Sequence, residues 1–129
     1  MKRIFYNSIA VLALLIITSV PVMAQAPIEI KPPKVLSTQE VLALYADKYN
    51  VSYERMYKTA YCESGLNPKA INSTSREYSV GIVQINLKAH KNITVAQAQD
   101  VHFASEFMAR EFSRNNARIW SCYTKIYGV

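Results

Sequence analysis

Two capping boxes punctuate this chain and fix most of its architecture. Ser37-Thr38-Gln39-Glu40 and Thr94-Val95-Ala96-Gln97 each offer a hydroxyl to the third helical amide and a side chain that reaches back to the amide of the cap residue itself. Behind the first box, Val41, Leu42, Leu44, Tyr45 and Tyr49 recur at helical spacing, and Asn50 can end the run. Ser52 can cap a second helix with Met56, Tyr57, Ala60 and Tyr61 on its inner side, and Gly65 stands where that helix would stop. Behind the second box the pattern runs on through Val101, Ala104, Phe107, Met108 and Phe112 as a helix, until Asn115-Asn116 breaks it. Ile119, Trp120, Tyr123, Ile126 and Tyr127 suggest a short last helix. In the middle, Asn67 to Glu77 is polar and reads as a loop or hairpin turn. Val80 to Leu87 is short, partly β-branched and interrupted by Gly81, so it reads as a strand or an irregular bend. The expected fold is mostly α: a compact helical domain with a small β-hairpin or irregular segment bordering a cleft.

The front of the chain follows a different pattern. Lys2 and Arg3 precede an uninterrupted apolar run, Ile9 to Ile17, and Val22-Met23-Ala24 sets small residues ahead of Gln25. That order is the order of a secretory signal, expected to span residues 1–24. The run is short for a membrane span, which needs about 20 residues; an uncleaved anchor is the alternative. Residues 25–36 contain Pro27, Pro32 and Pro33 and read as an extended lead-in. Residues 37–129 are enough for one domain. The expected location is the periplasm or the cell exterior, with no stable membrane span after cleavage.

The formal net charge is +6, with Lys2 and Arg3 among the cations. A modest positive balance suits an anionic polymer, as it suits many soluble proteins. No basic run carries interleaved aromatics, so nucleic acid is not an expected partner. His90 and His102 have no ligand-like spacing; no metal and no cofactor are expected, and both read as surface or supporting residues. Cys62 and Cys122 are the two cysteines. In an exported chain such a pair is expected to be bridged rather than free, closing a loop of about 60 residues and contributing roughly 3–4 kcal/mol in the chain-entropy model. Two buried thiols are an alternative; a nucleophilic Cys62 lacks any Cys-His signature.

Glu63 falls at the end of the second helix. A lone helical glutamate is ordinarily a solvated surface charge. Here Tyr61 and Cys62 precede it, and the partial negative charge at a helix C-terminus disfavours a carboxylate, which is the condition a proton donor needs.

Glu63-Ser64-Gly65-Leu66-Asn67-Pro68-Lys69-Ala70, followed by Ser79-Val80-Gly81-Ile82-Val83-Gln84-Ile85-Asn86, resembles the lysozyme-like superfamily and, within it, the soluble lytic transglycosylases. The resemblance covers roughly residues 37 to 127, and the two motifs in this order are its specific core. It implies that Glu63 is the catalytic acid and base and that the Gly-x-x-Gln segment lines the cleft. It implies a peptidoglycan substrate, cut at the β-1,4 bond between N-acetylmuramic acid and N-acetylglucosamine, with 1,6-anhydro-muramic acid ends as products. Ser79, Val83, Gln84 and Tyr123 are the expected substrate-binding residues. Gly81 would let a sugar approach the backbone, and Gln84 would offer donor and acceptor to N-acetyl or hydroxyl groups; a buried, self-satisfied amide is the other reading of Gln84.

Two departures bear on the mechanism. Lysozymes of the animal type, which the segment also resembles, carry an Asp where this chain has Ser79, and a serine cannot act as a partner carboxylate. Glu77 could substitute if the segment is a regular strand, on which residues 77 and 79 share a face. A single-carboxylate mechanism is the more economical reading. Transglycosylases also usually present a Tyr-Asn-Ala-Gly type segment opposite the glutamate, where this chain has Trp120-Ser121-Cys122-Tyr123. Tyr123 is expected to hydrogen-bond Glu63, which requires Cys122 to lie near Cys62; otherwise Trp120 and Tyr123 are core aromatics. The alternatives are a hydrolytic lysozyme using Glu77 or an ordered water, and a non-catalytic glycan-binding or assembly module, since fold alone does not prove activity. A monomer is expected, whose small size suits local wall opening for an envelope-spanning secretion apparatus, or remodelling.

Overall fold

A computed structural model describes residues 33–129. The expected signal segment and the lead-in up to Pro32 lie outside the described residues. The elements run α1 (Thr38–Lys48), α2 (Tyr53–Ser64), β1 (Ile71–Ser73), β2 (Tyr78–Val80), β3 (Ile85–Asn86), α3 (Val95–Gln99), α4 (Val101–Ser113), a 3-10 turn (Ala117–Ile119) and α5 (Ser121–Tyr127). The mostly α class expected from the periodicity is the class observed.

Both capping boxes form. The Ser37 amide donates to Glu40 Oε2 at 2.8 Å and the Glu40 amide to Ser37 Oγ at 3.3 Å. The Thr94 amide donates to Gln97 Oε1 at 2.9 Å and the Gln97 amide to Thr94 Oγ1 at 3.2 Å. Ser52 caps α2 by accepting from the Arg55 amide. Gly65 ends α2 in the left-handed conformation, φ 63°, and its amide bonds the Tyr61 carbonyl, as a helix C-terminus requires.

The helix expected to run from residue 94 towards Asn115 is divided. Asp100 adopts an extended ψ of 121° and accepts from the Phe103 amide at 2.7 Å, so it ends α3 and caps α4. A short acid that can bond its own backbone competes with helix continuation, and here the competition wins. The polar stretch after Pro68 contains β1, which pairs antiparallel with β2 (Ile71 opposite Val80), while β2 pairs with β3 (Ser79 opposite Asn86). The small sheet therefore has three strands in the order β1-β2-β3, one more than a hairpin.

The core gathers Leu42 and Ala46 of α1, Met56 and Ala60 of α2, Val80, Ile82, Val83 and Ile85 of the sheet region, and Ala104, Phe107 and Met108 of α4, closed by Trp120. α1 packs on α2 and α4, and α2 packs on α5. Two residues expected inside face out. Leu44 is 48% exposed and Tyr61 59% exposed. Tyr61 instead stacks on Tyr57, itself partly buried against the core, which in turn meets Tyr53, making a ladder at four-residue steps along one side of α2.

Gly81 has a structural task other than the one expected. It is buried at φ 84°, and a Cβ there would lie 1.8 Å from the Ala98 carbonyl oxygen. Its missing side chain admits the end of α3, not a sugar.

Candidate active site

α2 delivers Glu63 to its last turn, and three independent ties then fix what faces it. The first is covalent. Cys62 and Cys122 form a disulfide with their Cα atoms 5.9 Å apart, which joins the C-terminal turn of α2 to the start of α5. The second is a hydrogen bond from Ser64 Oγ to the Ile82 carbonyl at 2.6 Å, which holds the 81–84 turn against α2. The third runs from the Trp120 indole N–H to the Val83 carbonyl at 2.6 Å, inside the core, and holds the same turn against the entry to α5.

These ties enclose a cleft of about 300 Å³ lined by Glu63, Glu77, Gln84, Asn86, His90 and Ser121, with Phe107 and Trp120 among its apolar surfaces. Phe107 meets both His90 and Trp120 edge to face, at centroid distances of 5.0 and 6.1 Å. A concave, partly apolar pocket with a few convergent polar groups is the form a ligand site takes.

Glu63 is half-buried. Its Oε1 accepts the Cys122 amide at 2.9 Å and lies 3.4 Å from the donating Ser121 hydroxyl. Trp120, the residue at the N-cap of α5, makes no side-chain cap; Glu63 reaches across from α2 and supplies the acceptor. The carboxylate therefore sits at the negative end of its own helix and at the positive end of another. Those two fields oppose each other, whereas the sequence reading considered the first alone.

Of the four expected substrate-binding residues, Gln84 lines the cleft. Its amide nitrogen donates to the Ala70 carbonyl at 3.2 Å and the Gly81 carbonyl at 2.9 Å, so its donor side is spent on the backbone and its oxygen is left for a ligand. Gln84 holds φ 52°, because the 81–84 segment is a turn rather than a continuous strand. Val83 is fully buried in the core, and its carbonyl is taken by Trp120. Ser79 is fully buried beneath the cleft wall, and its hydroxyl donates to Glu77 Oε1.

Tyr123 does not meet Glu63. Its hydroxyl accepts from Arg55 at 3.3 Å, and its ring packs on Phe112 and Tyr127. It lines a separate groove of about 340 Å³ with Ser52, Arg55, Phe112 and Asn115. One helical position separates it from Cys122, and a step of about 100° per residue turns it from the carboxylate. Trp120 is the core aromatic of the pair. Ser121, Asn86 and His90 were not singled out for the cleft by sequence. Ser121 could have been, because any residue next to Cys122 is carried to Glu63 once the bridge is drawn. His90 carried no such signal.

Among the described residues, no group of three or more His, Cys, Asp or Glu side chains is placed to hold a metal ion, and no helix is long and apolar enough to cross a membrane. No curated protein and no solved structure matches the chain. The family model described as Transglycosylase SLT domain matches residues 40–124, from the first turn of α1 into α5. A match over that much of the chain, spanning both the helix that carries Glu63 and the turn that faces it, makes this protein a member of the transglycosylase SLT domain family.

Proposed function

We propose that this protein is an exported lytic transglycosylase that cuts the β-1,4 bond between N-acetylmuramic acid and N-acetylglucosamine, with Glu63 as its one proton-moving group. Family membership gives the coarser statement, a peptidoglycan-related transglycosylase or lysozyme-like function. One observation carries the finer one: Glu63 alone ends a helix inside the cleft, gripped through a single oxygen by the Cys122 amide and Ser121. Its Oε2 receives no donor among the described residues, so it is the oxygen available to a substrate.

Glu63 first gives its proton to the glycosidic oxygen as the bond from that oxygen to the muramic acid C1 breaks. The O6 hydroxyl of the same sugar then bonds to C1, and its proton returns to Glu63. The product is a 1,6-anhydro ring, the acid is regenerated and no water is consumed. The substrate's own N-acetyl group can support the cation, in line with substrate-assisted glycosidases. The Gln84 oxygen is the polar group on the facing wall suited to a sugar N–H or hydroxyl. The signal-like order of residues 1–24 and the disulfide support the reading of an oxidising compartment outside the cytoplasm, where the glycan is found.

The test uses the oxidised protein and its Glu63→Gln variant on purified peptidoglycan, with released fragments weighed by mass spectrometry. Fragments lighter by one water than hydrolytic products, absent with the variant, are expected. Reducing-end products would assign a hydrolase instead, and binding without turnover in either protein would assign a glycan-binding module.

A further inference from the structure

Glu77 is held differently from the other carboxylates of this domain. Of the glutamates among the described residues, Glu40, Glu54, Glu106 and Glu111 each pair with a lysine or arginine. Glu63 and Glu77 have no ion-pair partner among the described residues, and these two line the same cleft. Lys88 reaches the turn before β2, yet its ammonium donates to the Thr74 and Ser75 carbonyls rather than to Glu77.

Nor is Glu77 a loosely solvated surface charge. Its amide donates to Thr74 Oγ1 at 3.0 Å, and its carbonyl accepts from the Thr74 amide at 2.8 Å. Its Oε1 accepts a hydrogen bond from the fully buried Ser79 hydroxyl. Ser79 in turn lies in the middle of the sheet, opposite Asn86 of β3. Oε2 receives no donor among the described residues. A hydroxyl on a rigid strand therefore sets the orientation of this carboxylate and leaves one oxygen open.

We propose, resting on the function proposed above, that Glu77 is the second carboxylate of the site, oriented by Ser79 to offset the positive charge that develops on the sugar. Breaking a glycosidic bond builds positive charge on C1 and the ring oxygen. Glu63 enters that step protonated and neutral, so its own charge appears only as the proton leaves. Glu77 supplies negative charge throughout; it forms no bond and moves no proton. A fixed charge beside a developing one in a partly apolar cleft is an effective form of stabilisation. Where the animal-type lysozymes place an Asp, this chain places Ser79 on β2 and draws the carboxylate from Glu77, in the turn just before the strand. The longer glutamate side chain folds back to the serine hydroxyl. Ser79 is a positioning residue, acting through Glu77.

The experiment measures kcat and KM on purified peptidoglycan for wild type, Glu63→Gln, Glu77→Gln, Ser79→Ala and the Glu77→Gln/Ser79→Ala double variant, with thermal melts to confirm folding. Glu77→Gln keeps the shape and removes the charge; it is expected to lower kcat about 10- to 100-fold with little change in KM. Ser79→Ala is expected to lower kcat by less. The double variant is expected to be no slower than Glu77→Gln, because a residue acting only through Glu77 has nothing left to act on. Wild-type kcat in Glu77→Gln, alongside an inactive Glu63→Gln, would overturn this inference and leave the proposed function standing. Additive losses in the double variant would overturn the role given to Ser79. An inactive wild type, or an active Glu63→Gln, would remove the proposed function itself and this inference with it.

Discussion

The hydroxyl of Ser64 donates to the carbonyl of Ile82 at 2.6 Å, so the residue after the proposed acid holds the wall that faces it. The same hydroxyl also reaches the Ala60 carbonyl one helical turn back, at 3.3 Å. Ser64→Ala leaves the Ile82 carbonyl without its side-chain donor beside the cleft. A stability loss of about 1–2 kcal/mol is expected, read from denaturant unfolding, with turnover reduced by more than stability alone explains, because the 81–84 turn loosens against Glu63.

The Cys62–Cys122 bridge both staples the domain and places a donor. Cys62→Ala/Cys122→Ala is expected to lose roughly 3–4 kcal/mol of folding stability. Its activity under conditions where it remains folded should still fall, since the Cys122 amide no longer arrives at Glu63 by covalent constraint. Wild type treated with reductant should show the same two changes, and reoxidation should restore both. Unchanged kcat in the folded, bridge-free protein would show that α5 finds Glu63 by packing alone.

Gly81→Ala would set a methyl group 1.8 Å from the Ala98 carbonyl oxygen, at a φ of 84°. The obstruction is backbone, so α3 or the turn must move. A loss of about 3 kcal/mol or more is expected, the sum of left-handed strain and overpacking. Gly65→Ala is the control: it has a positive φ but nothing within 4 Å of the added carbon, and it should cost about 1 kcal/mol. Similar melting temperatures for the two variants would contradict the close approach of α3.

Acid should destabilise the domain through its exposed carboxylates. The Lys34 ammonium, with help from the Ser37 amide and hydroxyl, holds the Glu40 carboxyl down to about 2. Lys58 lowers Glu54, and Lys48 with Tyr49 lowers Glu106. A carboxyl lowered in the folded state contributes stability above its unfolded value of 4.5, and that contribution fades as pH falls through the folded value. For Glu40 the window runs from 4.5 to about 2. The pairs are solvent-exposed, so the effect is small and sensitive to salt. Melting temperature is expected to decline across this window, by less in high salt and by less in Glu40→Gln. Lys48 works in the opposite direction: Glu106 raises it above 10.5, so its contribution is complete below that pH and lost as pH rises through its folded value.

The helices were legible because their ends are written in side chains. Ser37 with Glu40, and Thr94 with Gln97, formed the boxes their spacing announced. The division at Asp100 was not read, because the periodic stripe continues across it and only the cap geometry separates α3 from α4. The bridge was read from compartment and count. The small sheet was half read: Ile71-Asn72-Ser73 is exposed along its length, so no alternation marks β1 as a strand. The site showed the same division. Glu63 and Gln84 came from the motifs, whereas the orientation of Tyr123 and the burial of Val83 depend on tertiary packing that spacing does not encode. The opposing dipole at Glu63 depends on α5, which lies far away in sequence and close only in space.

Every residue that lines the cleft, from Glu63 to Ser121, falls between Cys62 and Cys122. The bridge thus turns the cleft-forming segment into a covalent ring, with the preceding chain attached at Cys62 and the following chain at Cys122, 5.9 Å away between Cα atoms. Tension applied between the sequence before Cys62 and the sequence after Cys122 passes through the sulfur atoms and bypasses the ring. A single backbone cut anywhere within the ring leaves one connected molecule. For the function proposed here, on a stretched polymer wall, the bridge supplies a cleft whose shape is mechanically insulated from whatever pulls on its ends.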